Sequence, residues 1–500
     1  MNDVEMSPPS QLSIELEKDS QEPIYRQLIR LIREQIDSGD LENGARLPAS
    51  RDLALQLGIS RISVVNAYAE LRSEGYLSTH TGRGTFVSTP TQFSSRPYAQ
   101  NGAEPTQDLH AFRDLMRLAY KPNVINFSHG TPPGDFYPVQ QLHGVINRVI
   151  ERDGASALGY EPPEGYAPLR ASVRDYVNSW GIRCLPSQVL VTGGTQQGLN
   201  LAVRAILAPG DTLVTSNPTY LGMRDIAFSC GVRLHGVEMD DDGISLVALE
   251  EYASTHDVKL VYVMPSFHNP TGLVMPLHRR RQLLQLAEDY DFTILEDGVY
   301  QEFQFEGESV PPLKALDEND RVIFVSGFTK SMVPGLRIGY MISTHKHYEN
   351  IARIKAAADI SSPGLNQRAM HLMLKHGIAA QQLDLNLQKL RRRRDMALRA
   401  AETHLPEGST WSKPIGGLYL WVELPHHGPT AAELYVTAIQ NGVAFAIGNV
   451  FYTNDGGTYQ VRLNYALQDE ASIPEGIARL GRAWQLAYHA DPQAAHSLIL

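Results

Sequence analysis

Lys330 closes the run VIFVSGFTK, and Arg337 follows it across the Pro-Gly break in SMVPGLRIGY. The run begins apolar and β-branched, the pattern of a buried strand. Burial makes an ammonium costly and lowers its pKa, which frees the neutral, nucleophilic amine. Such an amine can form a Schiff base with an aldehyde. The same residue types also admit a lysine whose stem packs and whose head reaches water. The neighbouring stretches decide between the two.

Three more strand-like runs end in polar groups. FTILED ends at Asp297, with Tyr300 shortly after it, and LVYVMPSFHNPTG ends at Asn269-Pro270-Thr271-Gly272. VLVTGGTQQGLNLAVRAIL reads as strand, glycine turn and helix. In open α/β sheets ligands bind at the carboxyl ends of strands, and these groups suit pyridoxal phosphate. Backbone amides at Gly194, Thr195 and Gln196 would open a helix and hold a phosphate, assisted by Arg337 and the Thr329 hydroxyl. Asp297 can pair with a protonated pyridine nitrogen. Asn269 and Tyr300 can reach the ring's phenolic oxygen, and Tyr220, in SNPTYLG, can stack on the ring. Taken singly, Asp297 also suits a helix cap, Asn269 a turn and Tyr220 a core. Their order along one chain favours the joint site.

With these motifs in view, residues 120–485 resemble the fold-type I, class I/II pyridoxal-phosphate aminotransferases. The likeness rests on the NPTG turn, the Asp297 and Tyr300 pair, the lysine followed by PGLRIGY, and the late YQVRLNYA. It implies that Arg462 holds a substrate α-carboxylate through its planar fork. It also implies that Tyr160, in LGYEPPEGYAPLR, reaches across a dimer to the neighbouring phosphate. Relatives usually carry a hydroxyl residue three positions before the lysine. Gly327 stands there instead, leaving Thr329 and Arg337 for the phosphate. The implied architecture is an α/β large lobe over about 120–365 and a smaller C-terminal α/β lobe over about 366–485.

The whole chain of 500 residues has room for roughly three domain-sized units. Its apolar share of 43% is ample for a large core, and its net charge of −11 excludes a broadly basic, nucleic-acid-coating surface. Cys184 and Cys230 lie far apart without metal-ligand spacing, so no disulfide framework or metal site is expected and a reducing cytoplasm fits. No apolar run approaches the ~18 residues of a membrane span, and MNDVEMSPPS lacks a signal-peptide core. The expectation is a soluble cytoplasmic protein.

Residues 1–18 read as a loose N-terminus. In EPIYRQLIRLIREQIDSG, Ile24, Leu28, Leu31, Ile32 and Ile36 recur at helical spacing, closed by Gly39. Ser50 is the expected cap of a second helix with Leu53, Ala54 and Leu57 inward. Gly58 turns the chain, and Ser60 caps a third helix with Val64, Tyr68 and Leu71 on one face. YLSTHTGRGTFV follows as a hairpin. Residues 19–88 therefore form a winged helix-turn-helix, and they resemble the GntR family DNA-binding domain through RLPASRDLA, LGISR and THTGRGTFV. The resemblance implies that Arg51 and Arg61 touch phosphates or base edges. It puts Ser63 and Asn66 on the exposed face of the third helix, and His80, Gly82 and Arg83 in a wing beside the minor groove. From Lys18 to Val87 nine basic residues balance nine acidic ones, 9 − 9 = 0. Recognition must then come from the placement of Arg46, Arg51, Arg61 and Arg83. A module that binds only protein is the competing reading.

Residues 89–119 have linker composition, and 486–500 read as a tail. Arg391–Arg394 on one helix point several ways, which suits a solvated or internally paired helix better than a second DNA contact. A GntR-type reader joined to an aminotransferase-like domain resembles the MocR subfamily of transcription regulators. That resemblance implies a head-to-tail homodimer, a double-stranded DNA operator, and pyridoxal phosphate or a reacting amine as effector at the Lys330 aldimine. Two rivals remain: an active aminotransferase carrying a DNA-binding module, and a reader whose large domain only dimerises.

Overall fold

In the computed structural model, the residues described are 14, 16, 24–37, 41, 44–73, 76–80, 84–87, 123–130 and 132–489. Two compact units emerge, Met1–Thr106 and Gln107–Leu500. The expected linker 89–119 and the closing Gly39 lie outside the described residues.

The first unit is built on helices α1 (Ile24–Asp37), α2 (Ser50–Leu57) and α3 (Arg61–Ser73). Leu28, Ile32 and Ile36, one helical turn apart, meet Leu53, Val64, Tyr68 and Leu71 in one core. Ile14 and Leu16 pack against it, so its apolar surface reaches into the stretch expected to be loose. Gly58 joins α2 to α3 at φ 63, a left-handed position that glycine takes without strain. The Ser60 hydroxyl accepts from the Ile62 amide at 3.2 Å, as a cap should. Ser50 does not cap α2. Ala49 holds that place, its carbonyl accepting from Asp52 and Leu53, while the Tyr68 hydroxyl fixes Pro48 from the core side. Strands β1 (Arg46–Leu47), β2 (Leu77–His80) and β3 (Gly84–Val87) form a three-stranded antiparallel sheet in the order β1-β3-β2. This is the expected winged helix.

The second unit opens with β4 (Ile125–Asn126). Its main sheet has eight strands: β5 (Val189–Thr192), β6 (Thr212–Asn217), β7 (Arg233–Asp240), β8 (Gly243–Ile244), β9 (Leu260–Val263), β10 (Thr293–Asp297), β11 (Val322–Gly327) and β12 (Gly339–Ile342). The order is β5-β12-β11-β10-β9-β6-β7-β8, with β12 antiparallel to both neighbours and β6, β7, β9, β10 and β11 parallel. The edge strand β5 and the inner strands β9, β10, β11 and β12 are buried throughout, as a sheet covered on both faces requires. A second sheet joins β13 (Thr410–Trp411), β14 (Tyr419–Glu423), β16 (Ala446–Ile447) and β17 (Gln460–Asn464) in the order β13-β14-β17-β16.

Two boundaries differ from the sequence expectation. β4 pairs not with the large sheet but with β15 (Val443–Ala444), so the segment expected to open the large lobe belongs to the C-terminal one. The helix Gly364–Lys375 spans the expected lobe boundary, yet its Ala369, Met370, Leu372 and Met373 join a core with Val145, Leu169 and Val191 of the large lobe. Apolar patterning marks a buried face without saying against which neighbour. The last helix, Ser472–His489, also runs into the expected tail.

Candidate functional site

β5 ends in the Gly193-Gly194 turn, and the helix Thr195–Ile206 starts there. Gly194 has φ 108, and a Cβ on it would fall 2.7 Å from Arg337 Nη2, so glycine lets the guanidinium lie across the turn. Arg337 Nη2 donates to the Gly193 carbonyl at 3.0 Å. The Thr195 hydroxyl is buried with no hydrogen-bond partner among the described residues. Free amides of a helix N-terminus, a guanidinium and an unpartnered hydroxyl make an anion site. Gly327 also has its reason here. A Cβ on it would fall 3.0 Å from both Gly339 Cα and Thr195 Oγ1, so β11 and β12 leave no space for a hydroxyl-bearing side chain. The Thr195 hydroxyl lies next to that space instead.

Beyond the turn opens a cavity of about 480 Å³. Thr195, Gln196, Tyr220, Asn269, Asp297, Tyr300, Thr329, Lys330, Arg337 and Arg462 all line it, though the sequence scatters them over residues 195–462. Protein surrounds the Lys330 amine except toward the cavity, and it donates to the Gly130 carbonyl. Burial lowers its pKa to about 8, with Arg462 and Arg337 pushing the same way and Asp297 opposing. Asp297, at the end of β10, is 2% exposed. Burial raises its pKa to about 6 against the Val299 amide, the Tyr262 hydroxyl at 3.0 Å and Lys330. Such a carboxylate awaits a cation.

Arg462 comes from β17 in the other sheet. Its Nη1 donates to Asn269 Oδ1 at 2.7 Å and its Nη2 to the Ser128 carbonyl at 2.6 Å, while Nε is buried without a partner among the described residues. Its guanidinium lies over the rings of Tyr419, 4.3 Å, and Phe451, 4.8 Å from the centroids. The Tyr220 hydroxyl donates to Gln196 Oε1 at 3.1 Å. Tyr160 does not line the cavity and is 87% exposed.

Sequence reasoning missed Ser128, His129, Gly130, Tyr262, Tyr419 and Phe451. The apolar run GGLYLWVEL around Tyr419 carries a strand pattern, but a strand pattern does not say which side faces a cavity. In the first unit Arg51 and Arg61 are exposed, and Arg46 and Ser63 are half-buried. Gly82 and Arg83, and the side chains of Asn66 and His80, lie outside the described residues. Arg391–Arg394 are engaged within the chain: Arg391 and Arg394 with Glu306, Arg392 with Glu470, and Arg393 with Asp135. Among the described residues no cluster of side chains could hold a metal, and no helix is long and apolar enough to cross a membrane.

A mixed sheet whose strand ends gather a buried lysine, a buried aspartate and an anion cradle defines a pyridoxal-phosphate-type fold. Comparison with known proteins agrees. Residues 122–480 match the model of aminotransferase class I and II, and residues 24–87 match that of bacterial regulatory proteins, gntR family. The chain belongs to the aminotransferase class I and II family and carries a GntR-type domain in front of it, the layout of the MocR subfamily. It is 30% identical to an uncharacterized HTH-type transcriptional regulator, YdfD, of Bacillus subtilis over 92% of this chain and 96% of that one. It is 31% identical to the HTH-type transcriptional regulator TauR of Rhodobacter capsulatus over 92% and 96%. The crystal structure of LysN, the alpha-aminoadipate aminotransferase of Thermus thermophilus complexed with N-(5'-phosphopyridoxyl)-L-leucine, superposes with a TM-score of 0.69. It is 32% identical and covers 77% of this chain and 95% of that one. The family implies dependence on pyridoxal phosphate, and the orphaned Thr195 hydroxyl, the anion cradle and the buried Asp297 carboxylate fit that group.

Proposed function

We propose that this chain is a transcription regulator of the cytoplasm. It reads double-stranded DNA with its winged helix and senses pyridoxal phosphate, or an amino compound that reacts with it, at Lys330. The observation that carries this reading is the convergence of Lys330, Asp297 and Arg462 on one cavity in a chain that also holds a GntR-type reader. The bound cofactor supplies an aldehyde carbon for amines and a ring that draws in electrons.

The chain's residues do the rest. Thr195, Gln196, Thr329 and Arg337 hold the phosphate, with Gly194 shaping the turn. Asp297 pairs with the pyridine nitrogen and Tyr220 stacks on the ring. Tyr300 faces the ring's phenolic oxygen, as does the Asn269 amide nitrogen, since Arg462 already takes that residue's oxygen. A pKa of about 8 leaves Lys330 a reactive share of neutral amine near neutral pH. Arg462, which lines the cavity, offers its guanidinium to the carboxylate of an amino-acid effector.

The exposed Tyr160 suits a residue lent to a second copy in a head-to-tail homodimer. Effector binding acts on DNA by favouring one arrangement of the chain over another, with half-sites spaced by whole helical turns. Arg51 and Arg61 supply contacts to phosphate or base edges.

Purified protein, pyridoxal phosphate and a panel of amines test this reading through visible absorption and DNA binding followed together. The expected result is a visible band, absent in Lys330→Ala, and an amine that changes band and DNA affinity in step. DNA affinity indifferent to every change at Lys330 would leave only a dimerising large domain. Rapid steady-state transamination with a common amino acid and keto acid would favour the enzyme.

A further inference from the structure

Tyr419 lines the same cavity as Lys330 and Arg462. It lies on β14, 2% exposed, and its hydroxyl meets that of Tyr300 at 2.7 Å. The two rings meet edge to face, centroids 5.7 Å apart at 87°. The Tyr419 hydroxyl also lies against Gly130: a Cβ there would fall 2.7 Å from it and 3.6 Å from Lys330 Nζ. Phenol and amine thus share one side of that backbone. Neither phenol has another hydrogen-bond partner among the described residues. Burial, then Tyr419, holds the Tyr300 pKa well above its usual value, so Tyr300 keeps its proton at neutral pH.

We propose that Tyr419 is a positioning residue that acts through Tyr300. By donating its proton to Tyr300 Oη, it leaves Tyr300's own proton aimed into the cavity, at the phenolic oxygen of the ring. The opposite orientation would turn only lone pairs toward an electron-rich oxygen. This inference rests on the cofactor reading above. A proton donated to the ring oxygen weakens that oxygen's hold on the proton it shares with the lysine nitrogen. Tyr419 thereby sets the pH at which the lysine-bound cofactor changes protonation. Its ring has a separate task under Arg462, which Tyr419→Phe preserves. Among the described residues, the other titratable or charged groups around the pair are Lys330, Asp297, Arg462, His129, Tyr220, Tyr262 and Tyr465. Tyr419→Phe leaves all of them in place.

The test is a spectral pH titration of the full chain loaded with pyridoxal phosphate, in wild type, Tyr419→Phe, Tyr300→Phe and the double variant. Tyr419→Phe is expected to raise the apparent pKa of the visible band by roughly half a unit to one unit, the size of one hydrogen bond. Tyr300→Phe should raise it at least as far, and the double variant should equal Tyr300→Phe. A merely structural tyrosine would alter stability or loading without a shift that depends on Tyr300. An unchanged pKa in Tyr419→Phe overturns the proposal, and so does the same shift whether or not Tyr300 keeps its hydroxyl. A wild-type protein that gains no visible band at all overturns the cofactor reading itself, and this inference with it.

Discussion

Arg462 in the cavity is 6% exposed, with two nitrogens already bonded to Asn269 and Ser128 and two aromatic rings beneath it. Arg51 and Arg61 in the winged helix are exposed, within a stretch, Lys18 to Val87, whose nine basic and nine acidic residues cancel. The same side chain thus serves two kinds of recognition. In the cavity, a desolvated and pre-aimed guanidinium selects one carboxylate in one place. On the reader, solvated guanidiniums find phosphates or base edges, and each adds a modest, salt-screened increment. Losses in the cavity should be large and specific. Losses in the reader should be graded and dependent on salt.

Four substitutions or conditions sharpen that contrast. Arg462→Met strands Asn269 and the Ser128 carbonyl and removes the fork. It should weaken binding of an amino-acid effector by about 100-fold, the worth of one or two charge-assisted hydrogen bonds, and leave the visible band of the loaded protein in place. Titrating that band with amino acids checks it. Gly327→Ala forces a methyl group to 3.0 Å from Gly339 Cα and Thr195 Oγ1. A cost of about 1–3 kcal/mol in stability, with weaker retention of pyridoxal phosphate, should appear in thermal melts with and without the cofactor. If Gly327→Ala is neutral, the close approach of β11 and β12 is not what selects glycine.

Arg61→Ala should cost about 1 kcal/mol in DNA affinity and, where the contact is to phosphate, lower the salt slope by about one. Affinity measured across a salt series reads both. An all-or-none loss there would erase the distinction between the two sites. The smallest effect is on pH. Burial raises the Asp297 pKa to about 6 from 3.8. The folded apo-protein therefore prefers the neutral carboxyl, and that contribution to stability fades as pH rises through 6. A cationic partner removes the penalty, so pyridoxal phosphate should raise the melting temperature more at pH above 6 than below it. Equal stabilisation on both sides would mean that Asp297 meets no cation.

Much of this was readable from local chemistry. Strand-like runs ending at Asp297 and Gly327, the glycine turn before Thr195 and the pattern of α1 to α3 are set by neighbours within a few residues. The cap of α2 shows the limit of such reading. Ser50 has the right chemistry, but the Tyr68 hydroxyl holds Pro48 and the helix begins with Ala49 at the cap.

From its own order of residues the chain determined which groups would stand at the carboxyl ends of its strands, because side-chain period and turn chemistry are local properties. What faces those groups was decided by tertiary structure alone. The pairing of β4 with β15, the Tyr419 hydroxyl on Tyr300 and the guanidinium of Arg462 above Tyr419 each join segments far apart in the sequence. No periodicity encodes such meetings. They arise when distant strands pair and the two sheets pack, burying what each had left exposed, and the burial then sets the pKa values of Lys330 and Asp297.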